Sequence, residues 1–362
     1  MAPDRSPAGG LPVAWRLPLL VGGMLSLLAG LAAGLTRLGW ELPLSPAPMS
    51  AHGPLMVAAF FGTVIGLERA VALGRGWGYL SPLSSAAGGF ALLANAPAVL
   101  AFPLLMAGAA VLMLATLRAA QRQPALHAAM LVLAAAFSVV ASAAWWAGAT
   151  SAAIAAWMLF LVLTIAGERL ELSRFLPPSP QARRVFLVLV AVLVVAVLAM
   201  LVGIDAAWRL LGAALAGLAV WLLRQDVARR TVRQSGLTRF IAVCLLSGYG
   251  WLLLGGALLL LQPPVTLLAD AALHAVFVGF VLAMVFGHAP IIFPAIVKVR
   301  LPYHPLFYLP LLALHLSLLL RVAGDFLGDV DVRAWGGLGN AACVALFIVT
   351  MASAAWRGRR IT

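Results

Sequence analysis

Long apolar runs, each about as long as a bilayer is thick, fill this chain, and polar residues fall mainly in short clusters between them. A spanning helix needs ~20 mostly apolar residues. Twelve stretches meet that pattern, near 13–35, 50–73, 79–97, 99–118, 124–147, 149–170, 184–204, 206–224, 237–261, 268–297, 304–323 and 333–356. The expected fold is an all-α polytopic membrane protein of about twelve transmembrane helices, treated as one integral membrane domain over residues 1–362. Two breaks rest on little polar sequence: Asn95 and Pro97 between the third and fourth spans, and Gly203 and Asp205 between the seventh and eighth.

Composition agrees with the pattern: 64% of residues are hydrophobic and 10% charged, far from the balance of soluble domains. Charge then orients the spans. With both ends inside, the inner segments collect Arg5, Arg16, Arg69, Arg75, Arg118, Arg122, Arg169, Arg174, Arg183, Arg184, Arg224, Arg229, Arg230, Arg233, Arg239, Lys298, Arg300, Arg357, Arg359 and Arg360. Only Arg37, Arg209, Arg321 and Arg333 fall outside, a positive-inside bias of 20 to 4 that a miscounted helix would scramble. The expected location is the cytoplasmic membrane, with both termini cytoplasmic and the first helix retained, since it lacks an A-x-A-like cleavage site. The net charge of +13 is explained by insertion and anionic lipid; no nucleic-acid partner is expected, because the basic residues lie at span boundaries without aromatic interleaving. Cys244 and Cys343 stand alone in apolar runs and read as packing residues.

Spans 2 and 6 align without gaps at an offset of 100 residues: Phe60 with Phe160, Ile65 with Ile165, Glu68 with Glu168 and Arg69 with Arg169. Span 10 ends comparably in Val285-Phe286-Gly287-His288, with histidine in place of glutamate. Three four-helix units follow as an expectation, roughly 13–118, 124–224 and 237–356. Spans 2, 6 and 10 would then be parallel.

The candidate chemistry lies on these spans. His52 opens span 2 in SAHGPLMVAAFFGTVIG, and His274 opens span 10 in LHAVFVGFVLAMVFG; the equivalent position in span 6 is Ala152. Two imidazoles at equal depth can take a haem iron from both faces. Gly53, Ala58, Ala59, Phe60 and Phe61 in one span, and Gly279 and Phe280 in the other, are small or aromatic enough to border a flat macrocycle, and equally serve helix packing. Met49, His52 and Met56 share a face if Met49 is helical, a soft set suited to copper(I), although methionine is also a common packing residue.

A second polar set, Glu68, Glu168 and His288, lies at the inner ends. At 1.5 Å and 100° per residue, His288 falls ~21 Å from His274 and within ~40° of its face, whereas His52 and Glu68 are turned ~160° apart. These groups are candidates for proton entry, or for ion pairs pinning helix ends, Glu68 to Arg169 and Glu168 to Arg69. Pro290 and Pro294 should interrupt the helix around His288. His315, mid-span, needs a partner such as Ser317 or a backbone carbonyl; His127 and His304 read as interfacial, and Asp325, Asp329 and Asp331 as a solvated loop.

The run from His52 to Leu73 and the run from Leu273 to Arg321, LHAVFVGFVLAMVFGHAPIIFPAIVKVRLPYHPLFYLPLLALHLSLLLR, resemble the NnrS family of haem- and copper-containing membrane proteins. That family is linked to nitric oxide metabolism and nitrosative stress, and is distantly similar to the catalytic subunit of haem-copper oxidases. The resemblance implies His52 and His274 as axial ligands of a haem b, with a small gas such as nitric oxide as ligand and an unidentified electron donor. The oxidases also need histidines on helices 6 and 7 for copper, and residues 149–204 contain none, so the resemblance does not extend to a binuclear centre. Two other classes stay open: a transporter of a metal ion or small solute, suggested by repeated units and inner acidic groups, and a non-catalytic assembly factor.

Overall fold

The computed structural model describes residues 10–42, 48–173, 178–261 and 267–360 of the chain. Arg5 and Arg174, counted among the inner charges, lie outside them, as does the side chain of Arg360. The described residues form an all-α polytopic membrane protein. Its long helices are α1 (Val13–Arg37), α2 (Met49–Leu73), α3 (Leu80–Leu93), α4 (Ala98–Arg122), α5 (Leu126–Trp146), α6 (Thr150–Leu172), α7 (Pro180–Leu201), α8 (Ala207–Gln225), α9 (Gly236–Leu261), α10 (Leu267–Val297), α11 (Pro305–Leu327) and α12 (Val330–Arg359). Eleven are long and apolar enough to cross a membrane. The exception is α3, whose 14 residues are led in by a four-residue 3-10 turn, Gly76–Tyr79. At 1.5 and ~2 Å per residue the two together rise about 29 Å, close to the ~30 Å of a hydrocarbon core.

Both weakly marked breaks are made by backbone conformation rather than by charge. Asn95 takes φ 52° and Gly203 φ 81°, left-handed values that end α3 and α7. Asparagine and glycine are the residues that reach this region at least cost.

The chain forms two compact units. The first comprises Met1–Glu168 with Ala295–Lys298, the second Arg169–Pro294 with Val299–Thr362. In the first, α1 packs on α2 and α3, and α3, α4 and α5 follow as successive neighbours. Arg16 is buried there, its guanidinium donating to the carbonyls of Leu11 and Ile296. In the second unit α7 packs on α8, α8 on α9, α9 on α10, α10 on α11 and α11 on α12. The last pair is very close: a Cβ on Gly324 would strike the backbone of Arg333, and one on Gly336 the backbone of Arg321. Without cohesion from the hydrophobic effect between lipid-bathed helices, such small-residue contacts carry helix association.

Among the described residues, two helices contain a π-helical stretch. In α2 the residues Leu55–Phe61 are π-helical, and in α10 Ala275–Leu282 are. A π segment widens the winding by about one residue, withdrawing ~100° of rotation. The face assignments made from uniform α-helix therefore reverse. His52 and Glu68 come to about 60° of each other, and His274 and His288 to about 140°. Along α2 the partly exposed residues Gly53, Met56, Val64 and Glu68 trace one stripe across the π segment, as this shifted register requires. The expected interruption at Pro290 and Pro294 does not occur: regular helix runs from Ala283 to Val297 with both prolines inside, and the irregularity falls about two to four turns before Pro290.

Candidate functional site

His52 follows a 3-10 turn, Met49–Ala51, and precedes the first π segment by three residues. Its Nδ1 lies 2.7 Å from the carbonyl oxygen of Gly30 on α1. A carbonyl only accepts, so Nδ1 carries the proton and the lone pair of the neutral ring is on Nε2. The ring rests where α1 has no side chain: a Cβ on Gly34 would lie 2.8 Å from His52 Nδ1.

His274 directly precedes the second π segment. Its Nδ1 lies 2.8 Å from the carbonyl of Asp270, one turn back, and 3.3 Å from the Asp270 carboxylate. Again the lone pair belongs to Nε2. The helix-6 counterpart, Ala152, sits in unbroken α-helix and is buried. Among the described residues the two π stretches occur in the two spans that carry His52 and His274, each just after the histidine.

The neighbouring small and aromatic residues are occupied by protein. Gly279 receives the Trp251 indole of α9, and Phe280 packs 6.2 Å from the Tyr249 ring. Phe60 and Phe61 are buried with ring centroids 4.8 Å apart, and Ala59 is buried as well. These residues serve helix packing. Met49 is half exposed in its 3-10 turn, while the Met56 thioether packs onto Gly30. No group of three or more His, Cys, Asp or Glu side chains with metal-binding geometry occurs among the described residues.

The second polar set forms ion pairs and hydrogen bonds with two arginines. Arg69 Nη2 donates to Glu168 Oε1 at 2.8 Å, the pairing expected, and also lies 3.9 Å from Glu68. Arg169 takes an acid the sequence reading passed over. Its Nε donates to Asp226 Oδ2 at 2.8 Å, and its Nη1 lies 3.3 Å from His288 Nε2. Tyr249 donates its hydroxyl to Asp226 Oδ2 at 2.6 Å, and the Ala228 amide donates to Oδ1 at 2.7 Å. His288 Nδ1 donates to the Met284 carbonyl at 2.7 Å, so Arg169 meets an acceptor nitrogen.

His315 is satisfied by neither Ser317 nor a backbone carbonyl. Trp251 Nε1 donates to its Nδ1 at 3.0 Å, and its Nε2 donates to Ser247 Oγ at 2.9 Å. Ser317 instead donates to Asn340 at 2.7 Å. His304 caps the 3-10 turn Pro305–Phe307 by accepting from the Leu306 amide. Asp329 is exposed and accepts from the amides of Asp331 and Val332. Asp325, however, is buried rather than solvated, with Arg333 Nε 2.9 Å from its Oδ1.

Asp270 was also missed. The available signal was its i, i+4 spacing to His274, which puts both on one helical face. No comparable local signal marked Asp226, which follows α8 in a basic connection.

The class defined by these features is a polytopic helical membrane protein with two histidines each set at the head of a π-helical stretch. Within that class the chain belongs to a family described as a domain of unknown function, DUF8744, whose profile matches residues 16–356. No curated protein and no solved structure matches it significantly.

Proposed function

We propose that this chain is a membrane haem b protein of the NnrS type, with His52 and His274 as iron ligands, acting in nitric oxide metabolism or the response to nitrosative stress. The observation that carries the reading is the matched construction of the two histidines. Each is followed by a π segment, and each has Nδ1 fixed by a carbonyl so that Nε2 is the nitrogen suited to a metal. Metal-ligating histidines characteristically give their other N–H to a carbonyl or carboxylate, and π segments concentrate at functional sites. The donor set of two imidazoles fits haem iron, which would supply one-electron chemistry when bound. What the chain itself does is hold each ring: Gly30 and Gly34 seat His52, and Asp270 orients His274. The proposed setting is the cytoplasmic membrane with both termini inside, and no oxidase-type binuclear centre.

The test is a reduced-minus-oxidised visible spectrum of the purified protein beside His52→Ala and His274→Ala. A sharp low-spin haem b signal lost in both variants supports two ligands on one iron. Unchanged haem in both variants, or a colourless folded wild type, overturns the reading and directs attention to solute uptake.

A further inference from the structure

The two histidines differ in what holds them. The partner of His52 Nδ1 is a neutral backbone carbonyl. His274 Nδ1 faces both a carbonyl and the carboxylate of Asp270, and that carboxylate is shared. Its Oδ2 accepts from Arg321 Nη2 at 2.9 Å and Nε at 3.3 Å, and lies 3.2 Å from Arg333 Nη2. Arg333 also contacts Asp325, so two acids, two guanidinium groups and one imidazole meet at the outer ends of α10, α11 and α12. The close α11–α12 approach at Gly324 and Gly336 is what brings Arg321 and Arg333 to the same oxygen.

We propose that Asp270 is the positioning residue of the His274 ligand, and that Arg321 and Arg333 govern how strongly its carboxylate polarises the imidazole. This rests on the haem reading above. A carboxylate accepting the Nδ1 proton makes Nε2 a stronger donor, which favours the ferric over the ferrous state and lowers the midpoint potential. Each arginine draws carboxylate charge away from the ring. The donor strength of His274 is therefore set by a charge cluster.

The experiment is a potentiometric titration with dithionite and ferricyanide, read from the haem spectrum, on wild type, Asp270→Asn, Arg333→Gln and the exposed Asp331→Asn. The asparagine leaves the backbone carbonyl that holds the ring and removes the charge. Expected is a retained low-spin spectrum with a reduced-to-oxidised ratio at fixed potential raised about tenfold, equivalent to about 59 mV for one electron. Arg333→Gln should shift it in the opposite direction, and Asp331→Asn should leave it within twofold. Should Asp270→Asn not fold, the Arg333→Gln shift decides alone: downward supports the inference, and no shift overturns it. A coloured wild type whose potential passes unchanged into Asp270→Asn overturns this inference and leaves the haem reading standing. A colourless folded wild type overturns both.

Discussion

Arg169 and Asp226 form an ion pair sealed from solvent, Nε to Oδ2 at 2.8 Å, with side chains 6% and 1% exposed. Tyr249 and the Ala228 amide complete the carboxylate's hydrogen bonds. Removing one partner of such a pair strands a buried charge, at a cost of about 3–5 kcal/mol, whereas replacing both with apolar groups costs far less. Asp226→Ala should lower the thermal midpoint in detergent sharply, and the double variant Arg169→Met/Asp226→Leu should recover most of the loss. Equal losses in the single and double variants would refute a charge-stranding origin.

Arg69 and Glu168 have the same 2.8 Å separation but are 19% and 23% exposed. Solvent that reaches both side chains screens such a pair and lowers the cost of stranding either charge. Glu168→Gln should therefore shift the thermal midpoint by a small fraction of the Asp226→Ala effect. A comparable loss would mean that Glu168 does more than pin a helix end.

Gly336 lies against the Arg321 backbone, whereas a Cβ on Gly250, inside α9, would meet nothing within 4 Å. Gly336→Ala should cost about 1–3 kcal/mol by overpacking α11 against α12. Gly250→Ala should be neutral or stabilising by up to about 1 kcal/mol, through helix propensity alone. Thermal denaturation of the two variants side by side measures the difference, and similar behaviour would refute the close approach.

The charge bias predicts both termini on the cytoplasmic side. An alkaline phosphatase fusion after Thr362 should be inactive, and one inserted at Gly203 active. Activity at both sites would displace the inside assignment.

The spans were legible because hydropathy is a local signal and α3, α7 and their neighbours end at residues that advertise a turn. The Arg69–Glu168 pair was legible from the repeat. The face assignments were not, because they assumed 100° at every residue, and nothing in LMVAAFF or AVFVGFVL declares a widened turn. Asp226 and Asp270 were passed over for a related reason. Their partners Arg169 and Arg321 are 57 and 51 residues away, and a single chain carries no local mark of those meetings; the one local mark was the i, i+4 spacing of Asp270 to His274. Asp325 was misread because an acid next to a glycine turn is usually wet, and here the α11–α12 contact closes over it.

Each π segment is in effect one surplus residue held inside a continuous helix. Deleting any one residue from Leu55–Phe61 would let α2 relax into plain α-helix with His52 still about 60° from Glu68, since one fewer step of 100° gives the angle the π segment already sets. The helix would still insert, still be long enough and keep its phase; only the widened winding would be gone. Such a deletion separates the direction in which α2 aims His52 from the local widening beside it.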